Sequence, residues 1–370
     1  MQIEYLLACS LSTTTKKEPG SRLVAGDTMT LSNNPAGAAR DGRAADTLPP
    51  EPVTLHAADG YALRGYVWRH RGGAAGRPLT VVNSATAVRC DYYFRFAAWL
   101  FAQGRDVLVY DYRGIGGSRP ARLGALRANW LDWGRLDCEA ALQYARDAFA
   151  GQPVDVVAHS IGGFALGLAP SNVHVRRVLT VGAQYAYWRD YLPAERRRMW
   201  WKWHVAMPAL AAMCGYVPAK RFGWMEDTPR GVALSWARSQ PRFEDSYARA
   251  PIGESAASRA ALPARFAALR APMLAIGLDD DAFGTVAAME RLIGYYTGAD
   301  VTHLRIAPRH IGADAIGHFA FFHSRFADTL WTVALHWLQH GALPADAPGI
   351  VHARHAAARQ PGAGGLAAAG

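Results

Sequence analysis

The chain has 370 residues, of which 51% are hydrophobic and 19% charged, and its formal net charge is +10. This composition allows a sizeable core and excludes a chain that is disordered over its whole length. No zinc-finger spacing and no repeat of basic and aromatic residues accompanies the positive charge, so we expect no nucleic acid as a partner. No apolar run approaches the ~18 residues that span a bilayer, and stable membrane insertion is therefore not expected.

Both ends of the chain lack sustained hydrophobic periodicity. Residues 1–48 and 343–370 are rich in small and polar residues, so both are predicted to be disordered extensions that flank one domain at 49–342. His352 and His355 in the second extension are interpreted as exposed side chains rather than metal ligands. The four cysteines form no CxxC pair, which is typical of reduced thiols in a cytoplasmic protein.

Between these extensions strand-like and helix-like segments alternate, which predicts an α/β fold with a doubly wound, mostly parallel sheet. In chain order the predicted strands cover 52–56, 61–68, 79–83, 106–112, 154–159, 175–181, 272–277 and 301–306. The predicted helices cover 91–103, about 130–149, the residues after Ser160, 286–295 and 318–339. The alternation stops at about 184–262, where aromatic residues accumulate, and we expect a helical lid insertion there.

The pentapeptide from Ala158 to Gly162 lies between a predicted strand and a predicted helix. A serine at such a turn, with small residues two positions before and after it, is typical of a nucleophile elbow. In that turn the strained backbone lifts the hydroxyl clear of the sheet. Ser160 is therefore the predicted nucleophile. An ordinary turn between a strand and a helix is the alternative, so the prediction depends on partners farther along the chain.

Two later segments supply such partners. Asp279, Asp280 and Asp281 directly follow a predicted strand, at the edge of the sheet where reactive groups of doubly wound folds lie. Asp280 is the predicted acid, its two neighbours remain alternatives, and capping of the next helix is the structural interpretation for any one of them. His318 follows the last predicted strand and is the predicted base.

Backbone donors for an oxyanion are expected at two places. The N–H of Ile161 follows from its position after the serine, and the N–H of Ala85 is the predicted second donor, in the loop after strand 79–83. The glycine-rich segment 113–118 could suggest a dinucleotide loop, but it lacks the third glycine and continues into Arg119 and Pro120 instead of a helix. With no Walker loop and no HExxH motif, we expect no cofactor and no metal.

Four segments, 81–86, 110–116, 158–163 and 317–322, carry a resemblance to a known family. Through them the chain resembles the α/β-hydrolase superfamily, and more narrowly the bacterial predicted α/β-hydrolases related to serine aminopeptidase-like and monoacylglycerol-lipase-like enzymes. The resemblance covers about residues 52–340. It implies Ser160, Asp280 and His318 as nucleophile, acid and base, an order that this superfamily shares. Asn83 and Ser84 stand where His-Gly is usual.

These observations predict a serine hydrolase that cleaves carboxylic esters through an acyl-enzyme, with a small-molecule ester or acyl compound as its partner. Acyl transfer or amide and peptide hydrolysis on the same triad, and a non-catalytic binding protein of the same fold, are the alternatives. Trp188, Trp200 and Trp203 in the predicted lid are candidates for lining an acyl pocket. A small core of the lid itself is the other interpretation of these tryptophans.

Overall fold

The computed structural model describes residues 49–72, 76–249 and 253–358; the extension predicted at 1–48 lies outside them. Nine strands form one sheet in the order β1-β2-β4-β3-β5-β6-β9-β10-β11, and β7 and β8 form a separate two-stranded hairpin. The strands are β1 Glu51–His56, β2 Ala62–Trp68, β3 Leu79–Asn83, β4 Asp106–Tyr110, β5 Val154–His159, β6 Val175–Val181, β7 Tyr216–Val217, β8 Thr228–Pro229, β9 Met273–Leu278, β10 Val301–Ile306 and β11 Ile350–His355.

The α-helices alternate with these strands along the chain. They are α1 Phe94–Ala102, α2 Trp130–Asp132, α3 Glu139–Ala148, α4 Ile161–Leu168, α5 Arg196–Trp201, α6 Met207–Cys214, α7 Arg230–Ala237, α8 Ala256–Ala268, α9 Val286–Ile293 and α10 Leu330–His340. A π-helical turn, Trp133–Cys138, joins α2 to α3. Within this turn a Cβ on Gly134 would lie 2.5 Å from the Leu168 Cβ, so the glycine permits close packing against α4.

The six central strands β4, β3, β5, β6, β9 and β10 are parallel, and antiparallel neighbours close both edges of the sheet. Every residue of β3, β4, β5 and β9 is buried, as expected for parallel strands covered by helices on both faces. One core cluster includes residues of α3, α4, α8 and α9, and the other includes residues of α1 and α10. The predicted doubly wound α/β fold is thus confirmed.

Two predictions about the C-terminal part of the chain are wrong. The predicted helix 318–339 is helical only from Leu330; before it, 3-10 turns carry the chain away from His318. The predicted tail is ordered as far as residue 358, and β11 pairs with β10 at the edge of the sheet. Because most residues of β11 are exposed, hydrophobic periodicity could not predict this strand.

The aromatic insertion follows β6 and contains α5, α6, the β7–β8 hairpin and α7. Its predicted C-terminal boundary, residue 262, falls within α8. That helix packs against α4 through Leu262 and Phe266, which are buried in the main core, so α8 is part of the core. No helix within the described ranges has the length and apolarity to cross a membrane.

Candidate active site

Ser160 lies in the tight turn between β5 and α4 with φ +54° and ψ −119°, a conformation that a non-glycine residue rarely adopts. Its N–H donates to the Val181 carbonyl at 3.0 Å, and this hydrogen bond holds the turn against the end of β6. A Cβ on Gly162 would lie 2.6 Å from the Asn83 carbonyl oxygen, and one on Gly163 would lie 2.6 Å from the Ala183 Cβ. The small residues after the serine therefore let strand and helix approach, as the elbow interpretation predicts.

This strained turn makes a stability prediction. Ser160→Gly should have a free energy of unfolding about 1–2 kcal/mol higher than Ser160→Ala, because glycine adopts a positive φ with little strain and alanine does not. Both variants lack the hydroxyl, so the comparison isolates the backbone. Urea unfolding measures the difference, and equal stabilities would show that the turn stores no strain.

Asp281 and His318 meet beside this turn. His318 Nδ1 lies 2.6 Å from Asp281 Oδ2. Both side chains pack on Gly182, the residue after β6, where a Cβ would lie 2.8 Å from the carboxylate oxygen and 3.2 Å from the imidazole Cε1. Because the Ser160 N–H bonds to Val181, the residue before Gly182, the Ser160 turn and the Asp281–His318 pair lie at one corner of the sheet, which we call the serine corner. Among the described residues Ser160 Oγ makes no hydrogen bond to His318, and such contacts are often long until a substrate binds.

The structure corrects the predicted acid. Asp280 Oδ2 accepts the backbone N–H groups of Ile316 and Gly317 at 2.7 and 2.9 Å, so this carboxylate supports the loop that leads to His318. The prediction that Asp280 contacts the histidine is wrong. Asp281, one of the two alternatives, occupies that position.

The surroundings of Asp281 favour its ionised form. Burial would raise the pKa of this carboxyl, but the charge of His318 and the hydrogen bonds from His318 and the Phe283 N–H hold the pKa below its usual range. The carboxylate accepts the proton on His318 Nδ1, a tautomer that we assign from the hydrogen-bond network. Nε2 of His318 is then the nitrogen left to act as a base.

A buried relay of hydrogen bonds, formed by Ala85, Tyr93 and His159, supports the backbone of His318. The sequence did not reveal this relay. The Ala85 N–H donates to the Tyr93 hydroxyl at 2.9 Å, and this hydroxyl lies 2.8 Å from His159 Nδ1. His159 Nε2 in turn donates to the His318 carbonyl at 2.8 Å. Burial lowers the pKa of His159 to about 3, and the neighbouring His318 charge acts in the same direction. A neutral His159 next to Ser160 therefore fixes the backbone of the candidate base.

The same relay contradicts the predicted oxyanion donor Ala85, because its N–H already points at the Tyr93 hydroxyl. Within the described ranges, the N–H groups of Ile161 and Thr86 have no hydrogen-bond acceptor. Thr86 lies in the turn that follows β3. The prediction of Ile161 is compatible with this geometry.

Asn83 departs from the family pattern, and its side chain supports the elbow through two hydrogen bonds. Its Nδ2 donates to the Gly162 carbonyl at 3.3 Å, and its Oδ1 accepts the Tyr110 hydroxyl at 2.9 Å. Asn83 is fully buried. The side chain thus ties β3 and β4 to the first turn of α4, directly behind the serine.

Of the three candidate tryptophans, only Trp203 belongs to a chain of aromatic contacts that reaches His318. Its ring stacks on Trp236 at 4.2 Å and lies 6.5 Å from Phe283, whose ring lies 5.1 Å from that of His318. Trp203 is 3% exposed, so it serves the core of the insertion as well.

Trp188 and Trp200 instead flank His204, with ring separations of 6.2 and 5.7 Å. Trp200 is 41% exposed. Within the described ranges, no ring contact joins either side chain to His318, so the aromatic contacts do not link these two candidates to the site.

The glycine-rich segment 113–118 is built as a structural turn. Asp111 accepts the Cys90 and Gly117 N–H groups at 2.7 and 2.8 Å. A Cβ on Gly114 would lie 2.4 Å from Pro229 Cγ, so this glycine permits contact with the insertion. A carboxylate within the turn would repel a phosphate, which agrees with the interpretation that this segment is not a dinucleotide loop.

Comparison of the sequence with known protein families gives one match. The family described as serine aminopeptidase, S33, matches residues 79–303, which are 225 of the 370 residues. A search of curated proteins finds no match.

Among solved structures, the complex of DcsB with its substrate analogue has a TM-score of 0.53 at 12% identity, and the match covers 79% of this chain and 100% of that one. The Pyrococcus furiosus esterase Pf2001 has a TM-score of 0.49 at 14% identity, over 86% and 99% of the two chains. Puromycin hydrolase has a TM-score of 0.48 at 15% identity, over 82% of this chain and 41% of that one. At these identities the likeness to DcsB shows the fold alone.

Proposed function

Because the chain belongs to the serine aminopeptidase S33 family of α/β serine hydrolases, we propose that it cleaves carboxylic esters of small molecules through an acyl-enzyme. The residues we assign are Ser160 as nucleophile, His318 as base and Asp281 as acid. One observation carries the proposal: the short Asp281–His318 hydrogen bond beside the strained Ser160 turn.

In the proposed reaction His318 Nε2 takes the Ser160 proton while Oγ attacks the ester carbonyl carbon. The N–H groups of Ile161 and Thr86 would stabilise the oxyanion, since they have no other acceptor in the described part of the chain. The tetrahedral intermediate then collapses, and His318 returns the proton to the leaving alcohol. Water repeats the sequence on the acyl-enzyme and releases the acid.

The insertion favours an apolar acyl or alkyl group in the substrate. Trp203 and Phe283 lead towards His318, and Tyr191 packs on Phe283 at 5.5 Å. Ser160 is only 5% exposed. We infer that the insertion moves to admit a substrate, as a lid does.

Hydrolysis of a peptide from its amino terminus would need a carboxylate to bind the free amine. Asp190 lies in the insertion beside Tyr191, but Arg291 Nε already holds it at 2.5 Å. An arginine–carboxylate pair of this kind leaves little negative charge for a substrate amine. Asp190 is therefore unsuited to serve as the amine-binding carboxylate of an aminopeptidase.

A matched panel of substrates tests the proposal. We expect the wild type to hydrolyse p-nitrophenyl esters from acetate to laurate faster than the p-nitroanilides of the same acids. Ser160→Ala should lose about 10³-fold or more of kcat/KM on every ester. Faster cleavage of the anilides would favour an amidase, and equal rates for the variant and the wild type would exclude Ser160 as the nucleophile.

A further inference from the structure

Three histidines and one carboxylate lie close together at the edge of the sheet formed by β10 and β11, away from the serine corner. His303 lies on β10, His352 and His355 lie on β11, and Glu290 lies on α9. His303 is fully buried, whereas His352 is exposed and Glu290 is half-buried. The cluster thus extends from the core to the solvent.

The contacts within this cluster are short. His303 Nδ1 lies 2.5 Å from Glu290 Oε1, and His355 Nε2 lies 2.9 Å from Glu290 Oε2. The rings of His303 and His352 are 5.1 Å apart. One ligand atom each from Glu290, His303 and His352 lies within 4.8 Å of the others. Small side-chain rotations would bring them to the roughly 3.3 Å separation that tetrahedral zinc requires with bonds of about 2.0–2.1 Å.

Two ring nitrogens of the cluster have no hydrogen bond among the described residues, Nε2 of His303 and Nε2 of His355. The His355 nitrogen lies near the Glu290 carboxylate, whereas the His303 nitrogen belongs to a fully buried side chain. A buried polar atom without a hydrogen bond is destabilising and requires an explanation. A ligand bound between the histidines would supply one.

The backbone of the edge strand also differs from a regular ladder at this place. The register of β10 and β11 shifts at His303, which pairs with Ala353, because Leu304 pairs with Val351 and leaves His352 as the extra residue of a bulge. In a regular strand His352 and Ala353 would point to opposite faces. The bulge changes the direction of the side chain and brings the His352 ring to that of His303.

We propose that Glu290, His303 and His352 form a binding site for a divalent transition-metal ion, with Zn²⁺ as the best match and His355 as the fourth ligand. Imidazole suits Zn²⁺, and four protein ligands make a closed site of the structural kind. The ion would join β11 to β10 and α9. Its role would be to stabilise the edge of the sheet, since no contact among the described residues links the cluster to Ser160.

Zinc titration of the chelator-treated full chain tests this site. Calorimetry should find one tight Zn²⁺ equivalent per chain, and Co²⁺ should give the visible absorption typical of tetrahedral coordination. His352→Ala removes an exposed side chain, so the variant should fold normally and should bind Zn²⁺ at least about 10-fold more weakly. Circular dichroism confirms that it is folded.

A matched control comes from a second pair of close histidines, His336 and His340 on α10, whose rings are 4.5 Å apart. His340→Ala also removes one exposed histidine and should keep wild-type affinity. Two results would overturn the proposal: no tight binding by the wild type, or a loss of affinity that is no larger in His352→Ala than in His340→Ala.

Discussion

Replacing Asp281 by asparagine is expected to lower kcat/KM about 10⁴-fold, because the amide cannot hold His318 in the tautomer that leaves Nε2 unprotonated. The 2.6 Å contact between Asp281 and His318 and the lowered pKa of the carboxyl both place the negative charge at this residue. Ester hydrolysis at saturating and limiting substrate measures the loss. The reduction should appear mainly in kcat, since Asp281 acts through the base.

The neighbouring residue supplies a matched control. Asp280→Asn should retain activity within about tenfold of the wild type, because an amide oxygen can still accept the N–H groups of Ile316 and Gly317. Both variants remove one negative charge from the same loop, so a general electrostatic effect would weaken them equally. An equal or larger loss in Asp280→Asn would contradict the assignment of Asp281 as the acid.

The second large effect concerns acid stability. Burial lowers the pKa of His159 to about 3 in the folded protein, below the ordinary 6.5 of the unfolded chain. Between these two values the unfolded state binds the extra proton, so stability is fully present above pH 6.5 and falls as the pH drops towards 3. One proton of difference corresponds to about 1.4 kcal/mol per pH unit, which amounts to a few kcal/mol across this window.

His159→Gln tests this linkage. Glutamine can replace both hydrogen bonds of the neutral ring, to Tyr93 and to the His318 carbonyl, but it does not titrate. The slope of unfolding free energy against pH, from urea titrations between about pH 6 and pH 4, should be shallower than in the wild type by about one proton. His56→Gln replaces an exposed histidine in the same way and serves as the matched control variant. Identical slopes for His159→Gln and the wild type would contradict a buried neutral His159.

Much of the fold could be predicted because its signals are local. The buried strands β3, β5 and β9 appear as mostly apolar runs in the sequence, and the elbow requires only a strand, a serine and small neighbours within a few residues. The positive φ of Ser160 belongs to that short segment. Such features depend on few distant contacts, so sequence patterns are sufficient.

The acid could not be chosen from the sequence because three successive carboxylates have the same chemistry. Asp279 pairs with Arg305 at 3.0 Å, Asp280 caps the loop at Ile316, and Asp281 meets His318. Each partner lies more than 25 residues away in the chain. Only the packing of β9 against β10 and the His318 loop decides which carboxylate faces the histidine.

Two further differences also arise from distant contacts. The direction of the Ala85 N–H depends on the Tyr93 hydroxyl, which reaches it from the start of α1. Strand β11 is exposed along most of its length and is held by its ladder with β10, so its sequence has no buried face to reveal it. Composition alone made this segment resemble a disordered tail.

The most direct test of the account is to find which residue reacts with a fluorophosphonate. Mass spectrometry of the treated protein should locate one adduct on the peptide that contains Ser160, and Ser160→Ala should carry none. His318→Ala should label much more slowly, because the serine then lacks its base. An adduct on another residue, or equal labelling of Ser160→Ala and the wild type, would contradict the assignment of Ser160 as the nucleophile.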